Sequence, residues 1–164
     1  MKKWLSILLV VILVLSFGIF ALGSGESGTD DQGHGKSDGS SDKSNLGDYK
    51  VEILSSRLAK DFEGKDVVIV KYKFTNNAKE PISFIIAFQA QAFQDGVGLN
   101  ESYFVEDGAD YNMDDQNKEI KTGASLEVEV AYELNDTTTD VEIEVSELIS
   151  LSEKKVTKTF SITE

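Results

Sequence analysis

The residues whose types and spacing come nearest to chemistry are Asp110, Asn112 and Asp114, inside "FVEDGADYNMDDQNKEI" at 104–120. A D-x-N-x-D spacing can set three oxygens around a hard cation such as Ca²⁺. The likeness to a calcium loop then weakens. Asp115 stands at the sixth position, where glycine is wanted, and Lys121 at the twelfth, where glutamate is wanted. A calcium-dependent module using the acidic loop 106–115 is therefore the alternative reading, and Ca²⁺ the one cofactor in view. Catalysis has less support. The chain has no cysteine, and its single histidine, His34, lies in a polar stretch, so neither a thiol nor a histidine-based triad can be assembled. A carboxylate pair can cleave sugars, but nothing selects two of the 24 acids after residue 47. The expectation is a protein that is not an enzyme.

Charge is concentrated. Residues 48–100 carry seven basic and seven acidic side chains, whereas 101–147 carry fifteen acids against two lysines. Such a field repels nucleic acid and anionic lipid and favours cations or basic partners. The bland account of it is solubility.

The elements that must position these residues read as strands. In "LEVEVAYEL" Leu126, Val128, Val130, Tyr132 and Leu134 share one face, with Glu127, Glu129 and Glu133 opposite. "DVEIEVSEL" turns Val141, Ile143 and Val145 one way; "DVVIVKYKFTNN" does the same with Val68, Val70, Tyr72 and Phe74, leaving Lys71 and Lys73 outside. Alternation of this kind marks sheets with one wet side, and no helical period is evident. Turn residues separate seven expected strands near 49–58, 67–76, 82–94, 97–104, 124–134, 140–149 and 155–162. The fold class is all-β, an immunoglobulin-like antiparallel β-sandwich. In such a sandwich the second and fifth strands are neighbours, which predicts Lys71 and Lys73 facing Glu127 and Glu129. Lys158 breaks the pattern by sharing parity with Val156, Phe160 and Ile162; a bulge or an exposed strand end would accommodate it. "SFIIAFQAQAFQ" is apolar on both faces, with Phe84, Ile86 and Phe88 on one. The other face holds Ile85, Gln89, Gln91 and Phe93, the contact surface expected if the strand is not covered.

The N-terminus says where the domain sits. Met1-Lys2-Lys3 is followed by an uncharged apolar run, Trp4 to Leu22. As a helix it would span about 28 Å, enough for a bilayer core. The two lysines place the N-terminus in the cytoplasm and the rest outside. Residues 1–22 are a signal peptide or a membrane anchor: small residues at Ala21-Leu22-Gly23 permit a cut before Ser24, while the length of the run favours retention. Residues 23–47 are Gly, Ser and Asp with almost nothing apolar, a disordered linker reaching on the order of 25–30 Å. Residues 48–164 form the folded domain.

"VVIVKYKFTNNAKEPISFIIAFQAQAFQDGVGLN", "GASLEVEVAYELNDTTTDVEIEVSELIS" and "KVTKTFSI" together resemble the domain of unknown function family 5067 across about residues 48–162. Its most specific parts are Tyr72 to Asn77, Ala92 to Gly96 and Gly123 to Leu126. The resemblance implies an exported immunoglobulin-like protein of a Gram-positive bacterium, often a lipoprotein, and brings no catalytic residues or cofactor. This chain departs from the lipoprotein pattern in having Ser24, not cysteine, after the cut. The expectation is a non-catalytic cell-surface binding module on the extracellular face of the plasma membrane, or secreted. Its partner would be a protein or cell-wall component, with no nucleic acid, and residues 4–22 would meet the membrane if uncleaved.

Overall fold

A period-two pattern becomes a sheet when each strand can turn its apolar face toward a second layer. The computed structural model describes residues 44–106 and 109–162. Eight strands occur there: β1 (Asn45–Leu46), β2 (Tyr49–Lys60), β3 (Asp66–Asn76), β4 (Phe88–Gln94), β5 (Val97–Gly98), β6 (Ser125–Glu133), β7 (Val141–Glu147) and β8 (Lys155–Phe160). They form two antiparallel sheets, ordered β1-β2-β3-β6 and β5-β4-β7-β8. Val70, Tyr72 and Phe74 of β3 and Val128 and Val130 of β6 share one buried core with Phe88 of β4 and with Ile143 and Val145 of β7. These are the alternating positions read from the sequence, so the all-β class holds. Burying them supplies the driving force, at about 25 cal/mol per Å² of apolar surface.

The predicted neighbours are neighbours. β3 pairs with β6 so that Lys71 stands opposite Glu129 and Lys73 opposite Glu127. Lys71 Nζ lies 3.6 Å from Glu127 and 3.8 Å from Glu129. The Lys158 anomaly also finds its cause, in another strand. The β2–β3 register slips between Ile53 and Ser55, and Lys158 Nζ donates to the Ile53 and Leu54 carbonyls at 3.1 and 2.7 Å. The bulge has a further consequence. Before it, Val51 and Ile53 face the core; without it Arg57 would keep their parity and point inward. The extra residue turns Arg57 to the outer face opposite Ile69.

Three expectations are corrected. The single strand expected over 82–94 begins as a turn of helix, α1 (Phe84–Ala87), and becomes β4 only at Phe88. Phe84, Ala87 and Phe88 are buried at helical spacing, whereas Ile86, expected on one face with Phe84 and Phe88, is exposed. The strand expected over 97–104 pairs with β4 through Val97–Gly98, with a last bond from the Leu99 N–H to the Ala92 carbonyl. The chain then crosses to the other sheet, where Glu101 bridges Tyr132 and the Ser102 N–H donates to the Ala131 carbonyl. That crossing lies along the edge of β6. The linker expected to reach residue 47 ends earlier, since Asn45–Leu46 pairs with Tyr49 and Lys50 and Leu46 is buried. The expected apolar helix at 4–22 and the linker up to residue 43 lie outside the described residues. Among the described residues no helix is long and apolar enough to cross a membrane.

The outer face of β3 is not uniformly wet either. Val67 and Ile69 point away from the shared core yet are fully buried, as is Ala131 of β6. The long connection between β5 and β6 runs back along this face, and that connection builds the candidate site.

Candidate functional site

The turn between β2 and β3 is fixed by Asp61. Its Oδ1 accepts from the Glu63 and Lys65 amides at 2.8 and 2.9 Å, and its own N–H donates to the Lys65 carbonyl. This Asx arrangement leaves Phe62 at the tip. Asp61 also bridges Val105, and the Glu106 N–H reaches the Lys60 carbonyl at 2.9 Å. The bridge brings Phe104 against Phe62, edge to face, with centroids 5.6 Å apart. Both rings remain 67% exposed. An open groove of about 550 Å³ results, lined by Phe62, Tyr103, Phe104, Val105, Tyr111 and Met113, with Asn112 and Asp114 at its polar side.

Tyr111 anchors the groove's floor. Burial raises its pKa, partly offset by hydrogen bonds that its hydroxyl oxygen accepts from the Ala131 backbone and from Gln116. Gln116 lies in a 3₁₀ turn, Met113–Asn117, and its Nε2 donates to the Glu129 carbonyl at 2.6 Å. Arg57 holds the other flank. Nη1 and Nη2 meet Glu129 Oε1 and Oε2 at 2.5 and 2.8 Å, and Nη2 also donates to the Ala109 and Asp110 carbonyls at 3.0 and 3.2 Å. The paired fork is the strong geometry for arginine and carboxylate. A second, polar hollow opens here, lined by Arg57, Lys71, Asp110, Asn112, Asp115, Glu127 and Glu129.

The three residues with calcium-like spacing are thus employed differently from one another. Asp110 takes a left-handed backbone, φ 49°, and gives its carbonyl to Arg57. Asn112 caps the 3₁₀ turn, its Oδ1 accepting from the Asp114 amide at 3.0 Å. Asp114 borders the aromatic groove. Among the described residues no group of three or more acidic or histidine side chains is disposed to hold a metal ion.

The other expected surface is partly assembled. Gln89, Gln91 and Phe93 share the outward face of β4, the two glutamines exposed and Phe93 half-buried. Ile85 sits on α1, beside Gln89 and Leu148. The groove itself was missed because Phe62 and Phe104 are distant in sequence. A phenylalanine in a polar turn and an aromatic pair, Tyr103-Phe104, just past a strand were the available signals.

Two antiparallel sheets around one core, with an aromatic groove on a long connection, define an all-β module. The profile of the domain of unknown function family DUF5067 matches residues 25–147, three-quarters of the chain, and the protein belongs to that family. The match closes at the last residue of β7. No curated protein sequence matches the chain. Two solved structures share the fold. One, provisionally described as a lipoprotein, comes from Staphylococcus aureus (16% identity, 70% of this chain and 84% of that one, TM-score 0.53). The other is a protein from Enterococcus faecalis determined by NMR (21% identity, 73% and 88%, TM-score 0.53).

Proposed function

We propose that the chain is an exported, immunoglobulin-like module that works without catalysis, binding a cationic segment of another protein in the groove of Phe62, Tyr103 and Phe104. The carrying observation is exposed aromatic surface embedded in acidic chain. The segments that build the groove bear Asp61, Glu63, Glu106, Asp110 and Asp114. The lysines of the adjoining turn are already engaged, Lys60 with Asp66 at 2.7 Å and Lys65 with Glu63 at 3.2 Å. A lysine or arginine entering the groove gains attraction from ring faces and from the surrounding carboxylates together. The strand order supports the immunoglobulin-like reading, with consecutive strands divided between two sheets and β3 beside β6. Export rests on the apolar run at 4–22, and the description of the Staphylococcus aureus relative agrees with it. The chain would stand at the outer face of the plasma membrane of a Gram-positive cell, or be released after a cut before Ser24.

The test is titration of a peptide alternating lysine with tyrosine into the wild type and into Phe62→Ser and Phe104→Ser. Each substitution is expected to weaken binding about tenfold, equivalent to roughly 1.4 kcal/mol, and added salt to weaken it further. Binding that ignores both substitutions, or a hydrolytic activity lost on changing one carboxylate, would overturn the proposal. The site is assigned no cation. Its melting temperature should be the same in millimolar Ca²⁺ and in chelator, whereas a clear rise with Ca²⁺ would restore the metal-dependent alternative at Asp110, Asn112 and Asp114.

A further inference from the structure

A second exposed apolar surface lies elsewhere, on the loop between β7 and β8. Leu148, Ile149 and Leu151 occur there within four residues, Ile149 85% exposed and Leu151 fully so. The loop is docked at its start, where the Leu148 N–H donates to the Ala87 carbonyl at 3.0 Å, and this brings it beside α1. There Ile85 and Ile86 are also exposed. Five aliphatic side chains therefore gather at one end of the domain, where exposure works against solubility unless something covers them.

The position of that end identifies the cover. Gly47 lies directly against Glu147, so close that a β-carbon at Gly47 would come within 2.8 Å of the Glu147 carboxylate. The chain thus enters the domain next to the residue preceding Leu148. The 43 residues before the described part include the apolar run 4–22, and in sequence the polar stretch from 23 onward separates that run from this end. Charge is permissive here, as it is not in residues 101–147. Residues 148–164 carry Lys154, Lys155 and Lys158 against two glutamates, in contrast to the acidic stretch before them.

We propose that this end of the domain docks on the lipid bilayer, with Ile149 and Leu151 inserted at the headgroup–acyl boundary and Ile85, Ile86 and Leu148 resting on it. The inference rests on the reading that residues 4–22 hold the chain in a membrane. Removal of apolar area from water drives the contact, and an anchor in the same chain raises the effective concentration of bilayer at the loop. An apolar segment lying in the interface is buried by about 5–10 Å, a depth within reach of side chains on a loop tip.

The absence of cysteine makes the test direct. Full-length Ile149→Cys, labelled with an environment-sensitive fluorophore, is reconstituted into vesicles of phosphatidylcholine and phosphatidylglycerol. Thr138→Cys, in the turn at the other end of the domain, is the control. Flotation of the vesicles shows whether the chain is retained. The expected result is a blue-shifted label at 149, quenched more by a nitroxide near the lipid headgroup than by one deep in the acyl chain and shielded from iodide. The label at 138 should remain open to iodide. A retained chain whose 149 label is as open to iodide as the control overturns the proposal while leaving the anchor intact. A chain that does not float overturns it through failure of the anchor reading. Shielding from iodide without lipid quenching assigns the patch to protein contact and overturns it as well.

Discussion

Replacing Arg57 separates two effects that most substitutions confound. Its guanidinium makes two ionic hydrogen bonds to Glu129 and two more to carbonyls of the loop. Fully buried, hydrogen bonds to charged groups contribute about 1.5–3 kcal/mol each, and an exposed pair about 0.2–1 kcal/mol in all. The side chain of Glu129 is 13% exposed and that of Arg57 37%, so the pair falls between these limits. Screening on the arginine side reduces the coupling to about 1 kcal/mol. Adding the carbonyl contacts, Arg57→Ala is expected to cost about 2 kcal/mol, Glu129→Ala about 1.5, and the double variant about 2.5. Urea denaturation of the four proteins measures the cycle. Peptide binding to Arg57→Ala gives the sharper result. If the groove responded to field alone, removing a cation beside it would tighten a basic ligand. If Arg57 positions the loop that carries Tyr111 and Met113, binding weakens and loop amides near Ala109 exchange faster. Lysine cannot reproduce the fork, so Arg57→Lys should rescue little. Additivity within about 0.3 kcal/mol together with tighter binding would refute the reasoning.

The hydroxyls of Tyr72 and Tyr132 meet at 3.1 Å in the core. Tyr72→Phe should therefore cost about 1–3 kcal/mol by leaving its partner unsatisfied, while adding Tyr132→Phe recovers much of that loss in the same denaturation assay. Asp136 is held down to a pKa of about 2 by the amides and then the hydroxyls of Thr138 and Thr139. Because its folded value lies below that of a free carboxyl, its contribution is complete above about pH 4. That contribution is lost as pH falls through the folded value; thermal melts between pH 5 and 2 should be steeper for the wild type than for Asp136→Ala, and equal slopes would exclude it. Gly47→Ala brings a methyl against Glu147 at a φ of 57°, whereas Gly64, at φ 83°, has open space around it. Both substitutions carry the left-handed cost of about 1–2 kcal/mol, and melting should show Gly47→Ala to be the more damaging.

Much of the sheet was legible because its faces differ in solvation. The alternation in β3 and β6 fixed which residues turn inward, and opposite charge on the outer positions fixed their register. Where both faces are covered, alternation disappears, and the run Val67 to Val70 carried that information: four consecutive apolar residues in a strand imply a second cover, here the connection from β5 to β6. The stretch Phe84 to Phe88 was misread for a related reason. Its apolar residues fit a strand with two apolar faces, but Phe84, Ala87 and Phe88 equally fit one turn of helix, and only the packing of both phenylalanines against Phe74 decides between them. Arg57 shows the limit of parity counting, since a bulge two residues earlier reverses the face. The groove lay further from reach. It depends on the bridge between Asp61 and Val105, a contact with no local signature.

The strand β2 relates the two proposed surfaces. It runs twelve residues from Tyr49, next to the entry of the chain, to Lys60, next to Phe62. At about 3.3 Å per residue its ends are separated by somewhat under 40 Å. β3 and β6 run alongside it, so the turn holding Phe62 and the end of β6 lie at the extremity opposite Asn76 and Ser125. A domain docked through Leu148 to Leu151, beside the entry of the chain at Gly47, would therefore turn the Phe62 turn away from the lipid. The acids are spaced to suit that orientation. The sequence after Glu147 is nearly neutral, while the loop beside the groove is strongly acidic. An anionic bilayer would repel the groove's surroundings and tolerate the apolar loop, which favours this orientation over its inverse. Bound in this way, the module would hold an acidic, aromatic surface outward toward cationic partners.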